Sequence, residues 1–324
     1  MSTYILRRFI QTLVVIAVLS FVCYWLMTLM PGDPVDLMIR SNPKLTAEDI
    51  VRLKELYGTD KPAIVRYASW AKTILAGDLG YSRQYRIPVS ELMGPKLMNT
   101  FYLSMASLLL SLLVSIPLGV IAALKAGTKF DYFINFIAFA GISVPSFWLA
   151  LVLIIIFSVT LGWLPAGGTF TIGQDESLSN MQVFLDRAKY LILPTLSLTY
   201  LQIGRFLRFT RSAMLEAMRN DYIRTAKAKG LPYRDIVWKH GFRNALLPLV
   251  TIIALSFSSL FSGALITETV FAYQGVGKLV YDSILANDFN VAMLSFMISV
   301  TMVLLMNLVA DILYGVVDPR ISYS

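Results

Sequence analysis

Long apolar runs constrain what this chain can fold into, and the first of them extends from Phe9 to Met30. About 20 such residues are enough for a helix that crosses a membrane. Four more runs follow, at residues 99–124, 132–161, 246–271 and 290–313. Only 15% of the residues are charged, whereas soluble domains have about a quarter. The sequence therefore predicts an all-α integral membrane protein.

The N-terminal segment, residues 1–30, is interpreted as a short cytoplasmic end followed by a span that the protein retains. The run lacks a small-residue cleavage pattern and is ended by Met30-Pro31-Gly32-Asp33-Pro34. Its position at the N-terminus leaves a cleaved signal peptide open as the alternative.

A sixth span, residues 191–216, is predicted from charge rather than from hydropathy. Its first part, Leu191–Leu207, is short and polar for a membrane helix. Without this span, residues 205–245 and their ten Lys and Arg side chains would lie on the outer side. Lys and Arg are in excess in cytoplasmic loops. We therefore predict six spans with both termini in the cytoplasm.

Residues 31–98 are predicted to be a small helical insertion on the outer side. Its ten Lys and Arg side chains are accompanied by eight Asp and Glu, and long loops cross the membrane largely regardless of charge. Thr46 and Asp49 form a helix start, and residues 64–75 repeat apolar side chains at helical spacing. We expect two short helices that rest on the membrane or on a partner. Residues 99–313 then form the membrane core and 314–324 a cytoplasmic tail.

Composition argues against several kinds of chemistry. The single cysteine, Cys23, has no second cysteine to pair with, and the single histidine, His240, argues against histidine metal sites and catalytic triads. No Gly-x-x-x-x-Gly-Lys-Ser/Thr phosphate loop is present. The net charge is +8, but the positions of the basic residues indicate membrane orientation, so we do not expect nucleic acid as a partner. The sequence thus predicts no catalytic residue, no metal and no cofactor bound by this chain.

The cytoplasmic loop 217–245 is amphipathic and has two parts. Residues 221–229 are good helix formers, and Gly230-Leu231-Pro232 predicts a sharp stop followed by a new helix. In that second helix five residues are expected on one side, namely Tyr233, Ile236, Val237, His240 and Asn244. From composition alone, the basic side chains would be interpreted as contacts for anionic lipid headgroups.

The motif "DYIRTAKAKGL…HGFRNALLP" in this loop resembles the cytoplasmic loop of the dipeptide/oligopeptide permeases, which are membrane subunits of ATP-driven (ABC) importers. Six further stretches resemble the same family in the same order. They are "YILRRFIQTLVVI", "MPGDPVDLM", "GDLGYS" with "IPVSELMGPKLMNTFYLS", "ISVPSFWLALVLIIIFSV" with "LGWLPAGG", "ALITETVFAYQGVGKLVYDSI" and "ADILYGVVDPRISY". The chain departs from the family pattern at Arg224-Thr225-Ala226, in the turn 272–277 and at Asn290.

The resemblance implies a type I importer (MetI-like) bundle that forms half of a translocation pathway in the cytoplasmic membrane of a bacterium or archaeon. The implied partners are a second homologous permease, two ATP-binding subunits that hold ATP and Mg²⁺, an outer substrate-binding protein and the lipid bilayer. The loop is then a coupling helix that docks on an ATPase subunit. The expected docking residues are Tyr222, Arg224, Thr225, Ala226, Lys227, Ala228, Gly230 and Leu231.

Four polar residues are candidates for the translocation pathway or its gate. Thr195, Thr199 and Gln202 lie in the fourth predicted span, where polar side chains must face protein or water; the alternative is a buried helix whose hydroxyls are satisfied within the chain. Glu268 lies near the outer end of the fifth span. It is either a gate or contact for a substrate amine, or a structural acceptor for backbone groups of the outer turn.

Di- and oligopeptides are the substrates that the resemblance favours, with nickel complexes, glutathione and oligosaccharides as alternatives within the family. A secondary transporter or channel is a more remote alternative, which would work without an ATPase. An intramembrane protease is disfavoured because it would need His-Glu-x-x-His, a Ser with a membrane His, or paired intramembrane Asp residues, whereas His240 is predicted in the cytoplasm and Asp311 has no such partner.

Overall fold

The computed structural model describes residues 2–29, 46–57, 61–173, 179–262 and 264–317. Within these ranges the chain is helical, and an isolated bridge between Tyr81 and Pro88 is its only β pairing. The helices are α1 (Ser2–Thr28), α2 (Ala47–Tyr57), α3 (Ala63–Leu75), α4 (Val89–Leu124), α5 (Lys129–Ser143), α6 (Ser146–Leu153), α7 (Asn180–Arg219), α8 (Asp221–Ala228), α9 (Tyr233–Asp235), α10 (Arg243–Phe257), α11 (Leu265–Val270), α12 (Val276–Leu285) and α13 (Phe289–Val317). The all-α prediction is confirmed for the described residues.

Three of the described helices are long and apolar enough to cross a membrane: α4 as a whole, and α1 and α13 over Leu6–Thr28 and Phe289–Ala310. Two bent pairs raise this number to as many as five. The remaining predicted span lies within α7, whose 40 residues correspond to about 60 Å of helix. That length is sufficient, but α7 is too polar to be identified as a span by composition. Six spans therefore stay a prediction.

The third predicted span, residues 132–161, is broken rather than gently kinked. The segments Lys129–Gly141 and Ser146–Thr160 meet at an angle of 101°. Val144 between them is extended because the residue before a proline disfavours the helical conformation, and Pro145 then begins α6. A π-helical segment, Ile154–Thr160, continues α6.

The fifth predicted span, residues 246–271, was wrong as one continuous helix. α10 ends at Phe257, a 3₁₀ turn follows at Ser258–Phe261, and α11 is a separate short helix. Four serines lie between residues 256 and 262. Serine hydroxyls compete with the backbone for hydrogen bonds and so favour breaks over helix interiors. Glu268 consequently lies on α11, outside the long helix.

Two predicted spans begin earlier in the structure than their hydropathy suggests. α4 starts at Val89 rather than at residue 99, and α7 starts at Asn180 rather than at residue 191. Ser179 and Gln182 form a reciprocal capping box at the start of α7. The first turns of α4 belong to a buried cluster with α12 and α13, made by Val89, Leu92, Met93, Val276, Leu279, Val291 and Leu294.

The core of the bundle is the long contact between α4 and α7. One face of α4 presents small buried residues every fourth position, Ser107, Ser111, Ser115 and Gly119. A Cβ at Gly119 would lie 2.6 Å from the Cβ of Thr210 on α7. Small residues permit such close approach, which drives helix association in membranes.

The outer insertion contains the two short helices that the sequence predicts. Thr46 caps α2, and its hydroxyl donates to Asp49 Oδ2 at 2.7 Å, which holds the pKa of Asp49 below its ordinary value. α3 packs on α1 through Tyr67, whose hydroxyl lies 2.8 Å from Ser20 Oγ, and through Trp70. Leu75 on α3 is 89% exposed. The predicted stretch "MPGDPVDLM" lies outside the described residues.

Candidate functional site

The loop 217–245 folds into the predicted helix, sharp turn and second helix. α8 ends before Gly230, whose φ of +70° is the left-handed conformation that favours glycine. Pro232 then begins α9, which continues as the π-helical segment Ile236–Phe242 and leads directly into α10. We call residues 221–242 the elbow. The elbow adjoins helices of the bundle at both ends. Only Asn220 separates α7 from α8, and α10 follows the π-helical segment without a break.

Most of the expected docking residues are on the exposed side of α8 and of the turn. Exposed are Tyr222, Arg224, Thr225, Lys227, Ala228, Gly230 and Leu231. Ala226 is the exception, since it is 3% exposed and belongs to a buried cluster with Ile223 and Ile236. Ala226 follows Ile223 by three residues, so both lie on the inner face of α8. Its assignment to the docking surface was therefore wrong.

The second helix of the elbow differs from its prediction in which residues it buries. Ile236 and Val237 are buried as expected, together with Gly241, whereas Tyr233 is 60% exposed. The predicted common face assumed an α-helix, but a π-helix bonds each residue to the fifth along and so rotates the faces. Gly241 packs against α7 so closely that a Cβ would lie 2.7 Å from Met218 Sδ.

Tyr233 and Trp238 are surface residues that the sequence interpretation missed. Trp238 is 51% exposed and stacks edge-on against Phe242 at 5.3 Å between ring centroids. Large aromatic side chains on a charged, exposed segment are typical of contact surfaces. The signal was present in the sequence, since both are aromatic residues next to a basic one, Arg234 and Lys239 respectively.

The exposed side of the elbow combines apolar and cationic groups. Its ion pairs, Asp221–Arg224 at 3.3 Å and Asp235–Lys239 at 2.9 Å, are exposed and contribute little to stability. Tyr222 and Leu231, which lie between Asp221 and Asp235 along the chain, are also exposed. Such a surface can insert apolar side chains into a groove while its cations pair with carboxylates around the rim.

Before the elbow begins, α7 is joined to α5 by an ion pair whose carboxylate is buried. Arg211 Nε donates to Asp131 Oδ1 at 2.6 Å, and a second guanidinium nitrogen donates to Oδ2 at 2.7 Å. The Asp131 side chain is only 3% exposed and also accepts from the backbone N–H of Gly127 and from Asn135. This bidentate pair fixes α7 to α5 about three helical turns before the elbow begins.

Glu268 is fully buried and accepts hydrogen bonds from three segments of the chain. Thr100 Oγ1 on α4 donates at 2.8 Å, and the backbone N–H groups of Lys278 and Ala264 donate at 3.0 and 3.3 Å. Thr100 in turn accepts from the N–H of Val276 at 2.8 Å. Glu268 therefore has the partners of the structural alternative, as the acceptor that attaches the turn 271–276 to α4.

Gly275 shows how tightly the turn encloses this carboxylate. A Cβ at Gly275 would lie 2.4 Å from the carboxylate carbon of Glu268. No side chain can be accommodated there without moving the carboxylate or the turn. The gate and substrate-contact hypotheses for Glu268 would need this packing to open.

We expect Glu268→Gln to lower the free energy of unfolding by about 1–3 kcal/mol, because the amide nitrogen cannot accept and leaves a buried N–H or O–H donor unpaired. Thermal unfolding of the purified protein measures the change. Glu91→Gln is the matched control, since Glu91 is an exposed carboxylate on α4. Unchanged stability combined with lost uptake would contradict the structural role and favour the gate.

The three polar residues proposed for the pathway lie on α7 in different surroundings. Thr199 is buried and its hydroxyl donates to the carbonyl of Ser107 on α4 at 3.3 Å. Gln202 is half-buried and its Oε1 is 3.5 Å from Ser111 Oγ. Thr195 is buried, and its hydroxyl has no hydrogen-bond partner among the described residues. The Thr199 hydroxyl is thus hydrogen-bonded within the chain, as the alternative of a buried helix expects. Pathway lining stays a prediction for Thr195 and Gln202.

Comparison with known proteins assigns the whole chain to one group. Residues 115–323 match the family described as binding-protein-dependent transport system inner membrane component, and residues 1–92 match the N-terminal family of the same transport systems. The predicted resemblance is confirmed, and this is a multi-pass inner membrane protein.

Several relatives align over 100% of both chains. The chain is 40% identical to the oligopeptide transport system permease protein AppB of Bacillus subtilis. It is 38% identical to the di/tripeptide transport system permease protein DppB of Pseudomonas aeruginosa and 35% identical to the dipeptide transport system permease protein DppB of Escherichia coli.

The fold is similar to a solved chain of the MetNI methionine ABC transporter in an inward-facing conformation. The TM-score is 0.55 at 19% identity, over 71% of this chain and 97% of the other. The predicted MetI-like fold is confirmed by this similarity. The chain belongs to the family of inner membrane components of binding-protein-dependent transport systems.

Proposed function

We propose that this chain is a permease subunit of an ATP-driven importer of di- and oligopeptides. The observation that carries the proposal is the elbow, which exposes apolar and cationic side chains and is continuous with the bundle at both ends. The names of the full-length relatives support peptides as the substrate class.

The elbow acts as the coupling segment in this proposal. ATP binding closes a pair of ATPase subunits, which draws the elbow of this chain and that of a second, homologous permease together. Because α7 is fixed to α5 by Arg211 and Asp131, movement of the elbow tilts these helices as one body. The pathway between the two permeases then opens to the outside, where a binding protein delivers the peptide.

In this proposal the chain itself catalyses no reaction. ATP and Mg²⁺ are held by the ATPase subunits, and the chain forms half of the pathway in the cytoplasmic membrane of a bacterium or archaeon. Both termini and the elbow lie in the cytoplasm in this proposal, which the distribution of Lys and Arg supports. The docking surface comprises Tyr222, Arg224, Thr225, Lys227, Ala228, Gly230 and Leu231, to which we add Tyr233 and Trp238.

We expect ATP-dependent uptake of a labelled tripeptide by proteoliposomes that contain this chain together with the ATPase subunits, second permease and binding protein of the proposed importer. The ATPase pair should co-purify with this chain. Uptake by this chain alone, without ATPase, would contradict the proposal and identify a secondary transporter. Excess unlabelled dipeptide should compete, whereas competition only by nickel, glutathione or an oligosaccharide would replace peptides as the substrate class.

A further inference from the structure

A polar cleft lies between the first and last helices of the bundle. It has a volume of about 300 Å³ and is lined by Arg8, Gln11 and Thr12 of α1 and by Asn307 of α13, together with three apolar side chains. Gln11 and Thr12 are the only polar residues between Phe9 and Leu19. The sequence interpretation assigned no role to any of these four polar residues.

Three of the polar side chains lining the cleft need a partner. Among the described residues, none forms a hydrogen bond with the side chain of Gln11, Thr12 or Asn307. Gln11 and Thr12 lie inside the apolar segment of α1 that begins at Leu6, where water is scarce and unsatisfied polar groups are costly. A ligand with polar atoms at this depth would satisfy them.

The position of the cleft identifies the leaflet that supplies this ligand. Tyr24 of α1 packs on Met293 and Met297 near the start of α13, whereas the cleft joins Arg8 to Asn307. The two helices are therefore antiparallel, and the cleft lies at the membrane face where α1 begins. Arg8 stands two residues inside the apolar segment that starts at Leu6, which is the depth of lipid headgroups.

The surroundings of α1 favour lipid as the occupant. In the described part of the chain, α1 packs on α13 and, near its other end, on α3. The rest of its surface is apolar and exposed, including Phe9, Leu13 and Val14. Only 11% of its apolar segment is buried, so most of α1 is available to lipid, and the cleft opens beside this surface.

We propose that this cleft is a binding site for one anionic phospholipid. Arg8 already has an interaction within the chain, and the further N–H groups of its guanidinium, which has five donors, pair with the phosphate oxygens. Gln11 and Thr12 lie about one helical turn, roughly 5 Å, deeper, where a phospholipid has its ester carbonyls. Their side chains and that of Asn307 donate to those carbonyls, and the acyl chains cover the apolar lining. The lipid thereby joins α1 to α13.

The test is lipid retention by the complete purified importer, measured by native mass spectrometry after addition of phosphatidylglycerol or phosphatidylcholine. We expect Arg8→Gln to reduce retention of phosphatidylglycerol about fivefold, corresponding to about 1 kcal/mol per basic residue at a membrane surface. Asn307→Leu should reduce retention of both lipids. Arg7→Gln is the matched control, because it removes the same charge from a neighbouring residue that does not line the cleft.

Two results would overturn the proposal. Equal losses in Arg7→Gln and Arg8→Gln would mean diffuse attraction rather than a site, and unchanged retention in both Arg8→Gln and Asn307→Leu would mean that no lipid binds there. A photo-crosslinking residue in place of Gln11 identifies the occupant independently. A lipid adduct supports the site, whereas an adduct with the second permease would show that a protein surface covers the cleft.

Discussion

Replacing Arg211 by Met is expected to lower the free energy of unfolding by about 3–5 kcal/mol, because it leaves the buried Asp131 carboxylate without its charged partner. The Asp131 side chain is 3% exposed and receives two N–H groups from Arg211 at 2.6 and 2.7 Å. The remaining donors, the Gly127 N–H and the Asn135 amide, are neutral and cannot compensate a full charge. Thermal or denaturant unfolding of the detergent-solubilised protein measures the loss.

Two further variants distinguish loss of the pair from loss of a side chain. The double variant Asp131→Asn with Arg211→Met removes both charges and should recover a large part of the stability. Lys239→Met breaks the exposed Asp235–Lys239 pair and should leave stability nearly unchanged. If Arg211→Met and Lys239→Met behave alike, the buried pair does not hold α7 on α5.

The sequence predicts Arg211 only as one of several basic residues near the cytoplasmic end of a span. Its partner Asp131 is 80 residues away, on a helix whose direction depends on the break at Pro145. Charge patterns indicate the side of the membrane on which a residue lies, but they do not indicate which residue it contacts. Contacts of this kind depend on how α5 and α7 cross, which no local pattern in the chain encodes.

Local features, in contrast, were predictable from a few neighbouring residues. The cap at Thr46 and the stop at Gly230 with a new helix from Pro232 depend on backbone chemistry within one turn. The apolar runs of α1, α4 and α13 were recognisable because a lipid-spanning helix needs about 20 consecutive apolar residues.

The errors occurred where packing decides the outcome. Ala226 is small and was interpreted as a docking residue, but its position three residues after Ile223 places it on the inner face. Tyr233 lies in the short α9 and is exposed, whereas the π-helical segment Ile236–Phe242 that follows packs Gly241 closely on Met218. The break after Phe257 interrupts a run that hydropathy treats as continuous. In the first two cases the deciding contact lies in another helical segment, Ile236 for Ala226 and Met218 for Gly241, whereas the third follows from the serines around the break.

Gly230→Trp is expected to reduce ATP-driven uptake at least about tenfold, the loss that corresponds to about 1.4 kcal/mol of coupling free energy, while leaving the protein inserted in the membrane. Nothing lies within 4 Å of a Cβ at Gly230, so the indole meets open space in the isolated chain. A non-glycine residue at φ +70° costs roughly 1–2 kcal/mol, which the fold can tolerate. The indole instead projects from the docking surface beside Leu231, where the proposed ATPase groove must close.

The matched control separates obstruction of docking from backbone strain. Gly162 has a similar φ of +64° and equally open surroundings, but it lies far along the chain from the elbow. Gly162→Trp should therefore carry the same strain and retain uptake, and Gly230→Ala should lose far less than Gly230→Trp because it adds strain without bulk. Uptake and ATP hydrolysis are measured together in proteoliposomes. Uncoupling predicts that the amount of peptide taken up per ATP hydrolysed falls. Normal uptake by Gly230→Trp would mean that the exposed side of the elbow contacts no ATPase, because a side chain of this size cannot fit inside a closed interface without displacing it.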